Sequence, residues 1–130
     1  MLTLAITGFE ANPKVVSEIL LLEPTSTALR GELGESGRPR PANGWWLDVH
    51  PERLNDGTSH AEAISAMVAH LRGREASFQR LIVEVRPNSI TLYGGIHFDA
   101  NAQCGLWLDP AEMAVMASCG VGWGVDIFAD

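Results

Sequence analysis

The side chains best able to do chemistry gather around one stretch, Gln79 to Phe98. Leu81, Val83 and Val85 alternate there with Ile82, Glu84 and Arg86, and Ile90, Leu92, Ile96 and Phe98 alternate with Thr91, Tyr93 and His97. A period of two predicts two strands of a half-buried sheet, turned at Pro87-Asn88. One face of this hairpin is apolar; the other carries Glu84, Arg86, Thr91, Tyr93 and His97, which makes it the first candidate for function. His97-x-Asp99 together with Asp126 has the residue types for a metal site, because an imidazole and nearby carboxylates at strand ends can converge on one ion. A lone histidine among scattered aspartates is common in any acidic chain, so no metal and no cofactor is expected. His60 and His70 stand about 80° apart on an ideal helix and are not a ligand pair; both are expected at the surface. No Gly-x-Ser-x-Gly is present, neither Cys104 nor Cys119 has an activating neighbourhood, and Gly94-Gly95 and the glycines from Gly120 to Gly124 lack the lysine and strand-to-helix context of a phosphate loop. No catalytic residue is predicted.

The elements that must position these groups follow in chain order. Residues 2–9 alternate as an opening strand, and Asn12-Pro13 caps a helix carrying Val15, Val16, Ile19 and Leu20, which Glu23-Pro24 brings to a stop near Leu22. Residues 24–43 lose all periodicity and read as one long loop, the kind that is functional or disordered. Arg30, Arg38 and Arg40 make its basic cluster. In residues 44–50, Trp45, Leu47 and Val49 share one strand face, and Trp46 and Asp48 the other. Ser59-His60-Ala61-Glu62 has the form of a capping box ahead of Ile64, Met67, Val68 and Leu71, with Gly73 closing the helix. Cys104, Leu106 and Leu108 alternate with Gly105 and Trp107 as a short strand. Asp109-Pro110 caps a third helix with Met113, Met116 and Ala117 on its inner stripe, and residues 122–128 form a closing strand with Asp126 and Phe128 on one face.

The expected fold is α+β: a single domain, residues 1–130, built as a two-layer sandwich with a mixed, mostly antiparallel sheet of about six strands and three helices on one face. On the uncovered face Trp46, Ile82, Tyr93, Trp107 and Phe128 would make an apolar patch too large to leave bare. The long loop, a second copy or a partner must lie over it. The chain's 46% hydrophobic and 19% charged residues, without an apolar run of membrane-spanning length, predict a soluble protein. No secretory signal is evident, so a cytoplasmic location is expected. The two cysteines fit neither a disulfide framework nor a zinc site and are expected to be reduced core residues. A formal net charge of −7 opposes nucleic-acid binding and favours basic partners.

An N-terminal strand and helix, then Glu23-Pro24-Thr25-Ser26-Thr27 leading to Gly31-Glu32, then Trp45-Trp46-Leu47, Leu106-Trp107-Leu108-Asp109 and Val125-Asp126-Ile127-Phe128 occur in this order. In that respect the chain resembles the bacterial family of domain of unknown function 4279, departing from it in Phe128, where a phenol is common, and in the doubled tryptophan. The resemblance implies a small α+β protein without established catalysis, whose relatives look like immunity proteins of polymorphic-toxin loci. The leading expectation is therefore a non-enzymatic immunity protein that neutralises a cognate toxin through an acidic, aromatic-bearing surface. Strand alternation assigns that surface to Trp46, Asp48, Glu84, Tyr93, His97, Trp107 and Asp126. The alternative is a small ligand-binding domain or enzyme using the face around Tyr93, His97 and Trp107. A homodimer burying the aromatic face against itself is compatible with either.

Overall fold

Leu2, Leu4 and Ile6 alternate with Thr3, Ala5 and Thr7, and this segment becomes β1 (Leu2–Phe9), the middle strand of a mixed five-stranded sheet. The structure, a computed structural model, describes residues 1–50, 57–98 and 107–129. On one side β1 pairs antiparallel with β3 (Asn43–His50), which pairs in turn with the short β2 (Ser26–Ala28). On the other side it pairs antiparallel with β4 (Ser89–Phe98), and β4 pairs in parallel with β5 (Gly122–Ala129). Four helices accompany the sheet: α1 (Pro13–Leu20), α2 (Gly57–Leu71), α3 (Glu75–Glu84) and α4 (Pro110–Ser118). Their buried residues join Leu2, Leu4, Ile6, Trp45, Ile90 and Leu92 in one apolar core. The helices therefore cover the face of the sheet that those strand residues line, and the row holding Thr3, Ala5 and Thr7 faces the other way. Among the described residues no helix is long and apolar enough to cross a membrane.

The fold departs from expectation in particular places. Five strands replace about six, and four helices replace three, because residues 75–84 are helical. Leu81, Val83 and Val85 satisfy a period of two, but Phe78, Leu81 and Val85 also satisfy the helical spacing i, i+3, i+7, and these three are the buried ones. Val83 is 70% exposed. An Arg80–Glu84 contact of 2.9 Å links successive turns. The helix stops where Arg86 adopts φ 54° ahead of Pro87, whose ring disfavours a helical predecessor.

Two helices also differ in detail. α2 extends back to Gly57, so Ser59 lies inside it rather than at its cap. On α4 the inner stripe is Val115, Met116 and the following Cys119, while Met113 and Ala117 face solvent. Asn12 and Asp109 do cap their helices, each accepting a backbone N–H two residues on, at 3.0 and 2.8 Å. Residues 24–43 are ordered rather than a bare loop: beyond β2, Leu33 bridges Pro39, and backbone bonds between Gly31 and Arg40 and between Gly34 and Arg38 close a small hairpin. Asn43 clips its base, its Oδ1 accepting from the Arg30 N–H at 2.7 Å and its Nδ2 donating to the carbonyls of Glu10 and Ala11. The strand expected around Cys104 falls outside the described residues as far as Leu106, and Trp107 and Leu108 are irregular.

His70 is exposed as expected, but His60 is buried. It precedes Ala63 and Ile64 by three and four residues, so the same stripe that buries Ile64, Met67 and Val68 carries the imidazole inward. Among the described residues neither of its ring nitrogens has a hydrogen-bond partner. An unmet buried polar group costs about 1–3 kcal/mol. His60→Leu, which removes it at similar volume, is expected to raise stability by about 1 kcal/mol; a lower denaturation midpoint would contradict this.

Cys119 is a free, buried thiol whose Sγ lies 3.8 Å from the carbonyl oxygen of Leu71. Burial, reinforced by the Glu75 carboxylate, pushes its pKa from 9.0 up to about 11. The folded thiol thus keeps its proton where the unfolded thiol has lost it. The resulting stabilisation is complete below pH 9 and is lost as pH rises towards 11. Cys119→Ala should flatten this alkaline decline in a pH series of denaturation curves; an unchanged slope would refute the assignment.

Candidate functional site

The open face of the sheet is organised by register. Thr3 lies between Asp48 on β3 and Tyr93 on β4, and Tyr93 is opposite Gly124 on β5. One row across the sheet therefore reads Asp48, Thr3, Tyr93, Gly124. The neighbouring row reads Ser26, Trp46, Ala5, Thr91, Gly122. Thr3 is buried, and its Oγ1 donates to Asp48 Oδ1 at 2.7 Å. The backbone N–H of Asp48 donates to Thr25 Oγ1 at 2.9 Å, fixing the carboxylate's strand to the segment beside β2.

Trp46 owes its position to a glycine. A Cβ on Gly44, two residues back on the same face, would fall 2.2 Å from the Trp46 ring, so the indole occupies the space that any side chain at Gly44 would need. Arg40, delivered by the hairpin of residues 31–40, places its guanidinium carbon 5.3 Å from that ring's centroid, a cation–π arrangement. Around these groups the face is hollowed into an open concavity of about 450 Å³, lined by Thr3, Glu35, Arg40, Trp46, Asp48 and Tyr93 together with Met1, Ser26 and Thr27. Tyr93 is 42% exposed at its rim.

Further along β4 and β5 the same face carries a second feature. His97 stacks on Phe128, ring centroids 4.9 Å apart and planes 16° from parallel. The Phe128 ring approaches to 3.1 Å of where a Gly95 side chain would begin, and Asp126 is opposite Gly95. At about 3.3 Å per residue, His97 lies roughly 13 Å from Tyr93 along the strand.

Of the residues expected to form the site, Trp46, Asp48 and Tyr93 meet in one concavity, and His97 and Asp126 share the face beside it. Glu84 does not belong there. It sits on α3, ion-paired with Arg80, and lines a separate depression of about 600 Å³ with Arg30 and Arg86. Ile82 is likewise helical, beside Gly120. Trp107 is 80% exposed just ahead of α4 and is not part of the described sheet. Sequence reasoning missed Thr3, Glu35 and the seating of Arg40 on Trp46; the Arg30–Arg40 cluster was the available signal, but its target is set by the hairpin.

Cys119, its pKa raised, is the opposite of an activated nucleophile. Among the described residues no three His, Cys, Asp or Glu side chains are grouped to hold a metal ion, and Asp99 of the His97-x-Asp99 pattern lies outside them.

The family described as domain of unknown function DUF4279 matches residues 1–130. The chain belongs to that family. No curated protein and no solved structure matches it significantly. DUF4279 membership assigns no role to any residue.

The Thr3–Asp48 bond tests how far the open face is preset. Thr3→Val keeps the shape and leaves the half-buried carboxylate without its donor, at an expected cost of about 1.5 kcal/mol in chemical denaturation. A change within error would show that water replaces the hydroxyl.

Proposed function

We propose that this protein is a non-enzymatic binding module whose open sheet face docks a basic protein, and that its role is that of a bacterial immunity protein neutralising a cognate toxin in the cytoplasm. The observation that carries the reading is the one-sided packing of the sheet: its second face holds Trp46, Tyr93 and the His97–Phe128 stack beside Asp48, Asp126 and Glu35. Buried aromatic anchors supply most of the energy in protein interfaces, and acidic groups around them select a basic partner. The net charge of −7 adds long-range attraction to such a partner. The specific role as an immunity protein is the expectation that the resemblance of the ordered motifs implies; the family match itself names no role. Trp107, exposed ahead of α4, is a further anchor outside this face.

A second reading rests on the concavity itself. Its roughly 450 Å³, its Arg40 and Tyr93 donors and its Asp48 and Glu35 acceptors suit a small polar molecule. Co-expression with the product encoded immediately upstream separates the two. The immunity reading expects a stoichiometric complex and relief of that product's toxicity. Tyr93→Ala and Trp46→Ala should each weaken the complex by about 2 kcal/mol, some thirtyfold, with circular dichroism unchanged. Absence of a protein partner, with a small molecule retained on purification, would replace this reading with the second.

A further inference from the structure

Edge strands present unpaired backbone donors and acceptors, and natural sheets protect them by shortness, lysine, proline or bulges. The two edges here are treated differently. β2 has three residues. β5 has eight, Gly-Trp-Gly-Val-Asp-Ile-Phe-Ala, with no proline, no lysine and a single charge, Asp126. Among the described residues β4 alone pairs with it. Ile127 is 68% exposed and Phe128 47% exposed, so the distal half of β5 offers apolar side chains on both faces of the sheet.

We propose that β5 pairs antiparallel with β5 of a second copy, about a two-fold axis at Val125, joining the two sheets into one. The occupant and the register both follow from the residues. A two-fold axis normal to the sheet sets one residue opposite its own copy, and opposed residues share a face. An axis at Asp126 would oppose two carboxylates, which is destabilising. An axis at Gly124 would leave Phe128 beyond the partner strand, opposite nothing in β5. An axis at Val125 opposes Asp126 to Gly124, Ile127 to Trp123 and Phe128 to Gly122. Each glycine then leaves room for the open-face residue of the other copy, while Phe128 keeps its own stack on His97 over Gly95. On the helix-covered face the exposed Ile127 gains the half-buried indole of Trp123. The strand is complementary to itself in this register, which singles out a second copy over an unrelated strand. Two open faces then lie side by side in one surface, whichever partner those faces bind.

Gly124 provides the test, because no atom lies within 4 Å of a side chain added there and the monomer can accept one. In the dimer each new side chain would face the partner's Asp126. Sedimentation equilibrium of the full chain should show a dimer for the native protein. Gly124→Asp should weaken it at least tenfold, and Gly124→Lys should tighten it, with circular dichroism unchanged in both. A native protein monomeric at the highest attainable concentration would overturn the proposal. So would a dimer that responds equally to Gly124→Asp and Gly124→Lys, since the contact would then lie elsewhere.

Discussion

β1 is flanked on both sides by antiparallel partners, and its register is what the open face depends on. Burying Leu4 and Ile6 beneath the helices contributes roughly 2 kcal/mol each, and a slip of one residue would turn those side chains to solvent. The same register sets Thr3 between Asp48 and Tyr93. The row that can recognise a partner is thus held in place by the row that builds the core, with Thr3–Asp48, Asp48–Thr25 and Arg40–Trp46 adding local support. This separation explains how exposed aromatic groups persist at the surface of an otherwise ordinary α+β domain.

Much of the arrangement was legible in the sequence wherever one periodicity spoke alone. Leu2–Ile6, Trp45–Val49 and Ile90–Leu92 alternate without a competing helical pattern and became strands. Asn12-Pro13 and Asp109-Pro110 announced helix starts through local capping chemistry, which needs no knowledge of tertiary contacts. Reading failed where two periods overlapped. Residues 78–85 satisfy both, and Arg86-Pro87 serves equally as a turn or as a helix terminus. His60 is buried because its helix begins at Gly57, which places it on the buried stripe one turn ahead of Ile64, where the sequence pattern opens.

The candidate site divides along the same line. Alternation alone placed Trp46, Asp48, Tyr93, His97 and Asp126 on a common face. Assigning Glu84 to that face inherited the error in α3. Arg40 over Trp46 was out of reach for a different reason: the contact joins a hairpin to a strand through the space that Gly44 leaves, and neither periodicity nor composition encodes which ring an arginine will cover. Residues outside regular elements contribute to the site through long-range geometry, and it is there that local sequence signals are weakest.

The Asn43 clip has a consequence for how such a protein could diversify. Its side-chain amide ties the base of the hairpin to the carbonyls of Glu10 and Ala11 and to the N–H of Arg30, so the ends of the segment are held independently of its tip. Lengthening a loop whose ends are already fixed adds only a slowly growing entropic cost. The stretch from Gly34 to Gly37 is therefore free to change in length and charge while the sheet stays as it is. A lineage could re-aim its specificity by editing a few codons at that tip, leaving Trp46, Tyr93 and the sheet that carries them unchanged.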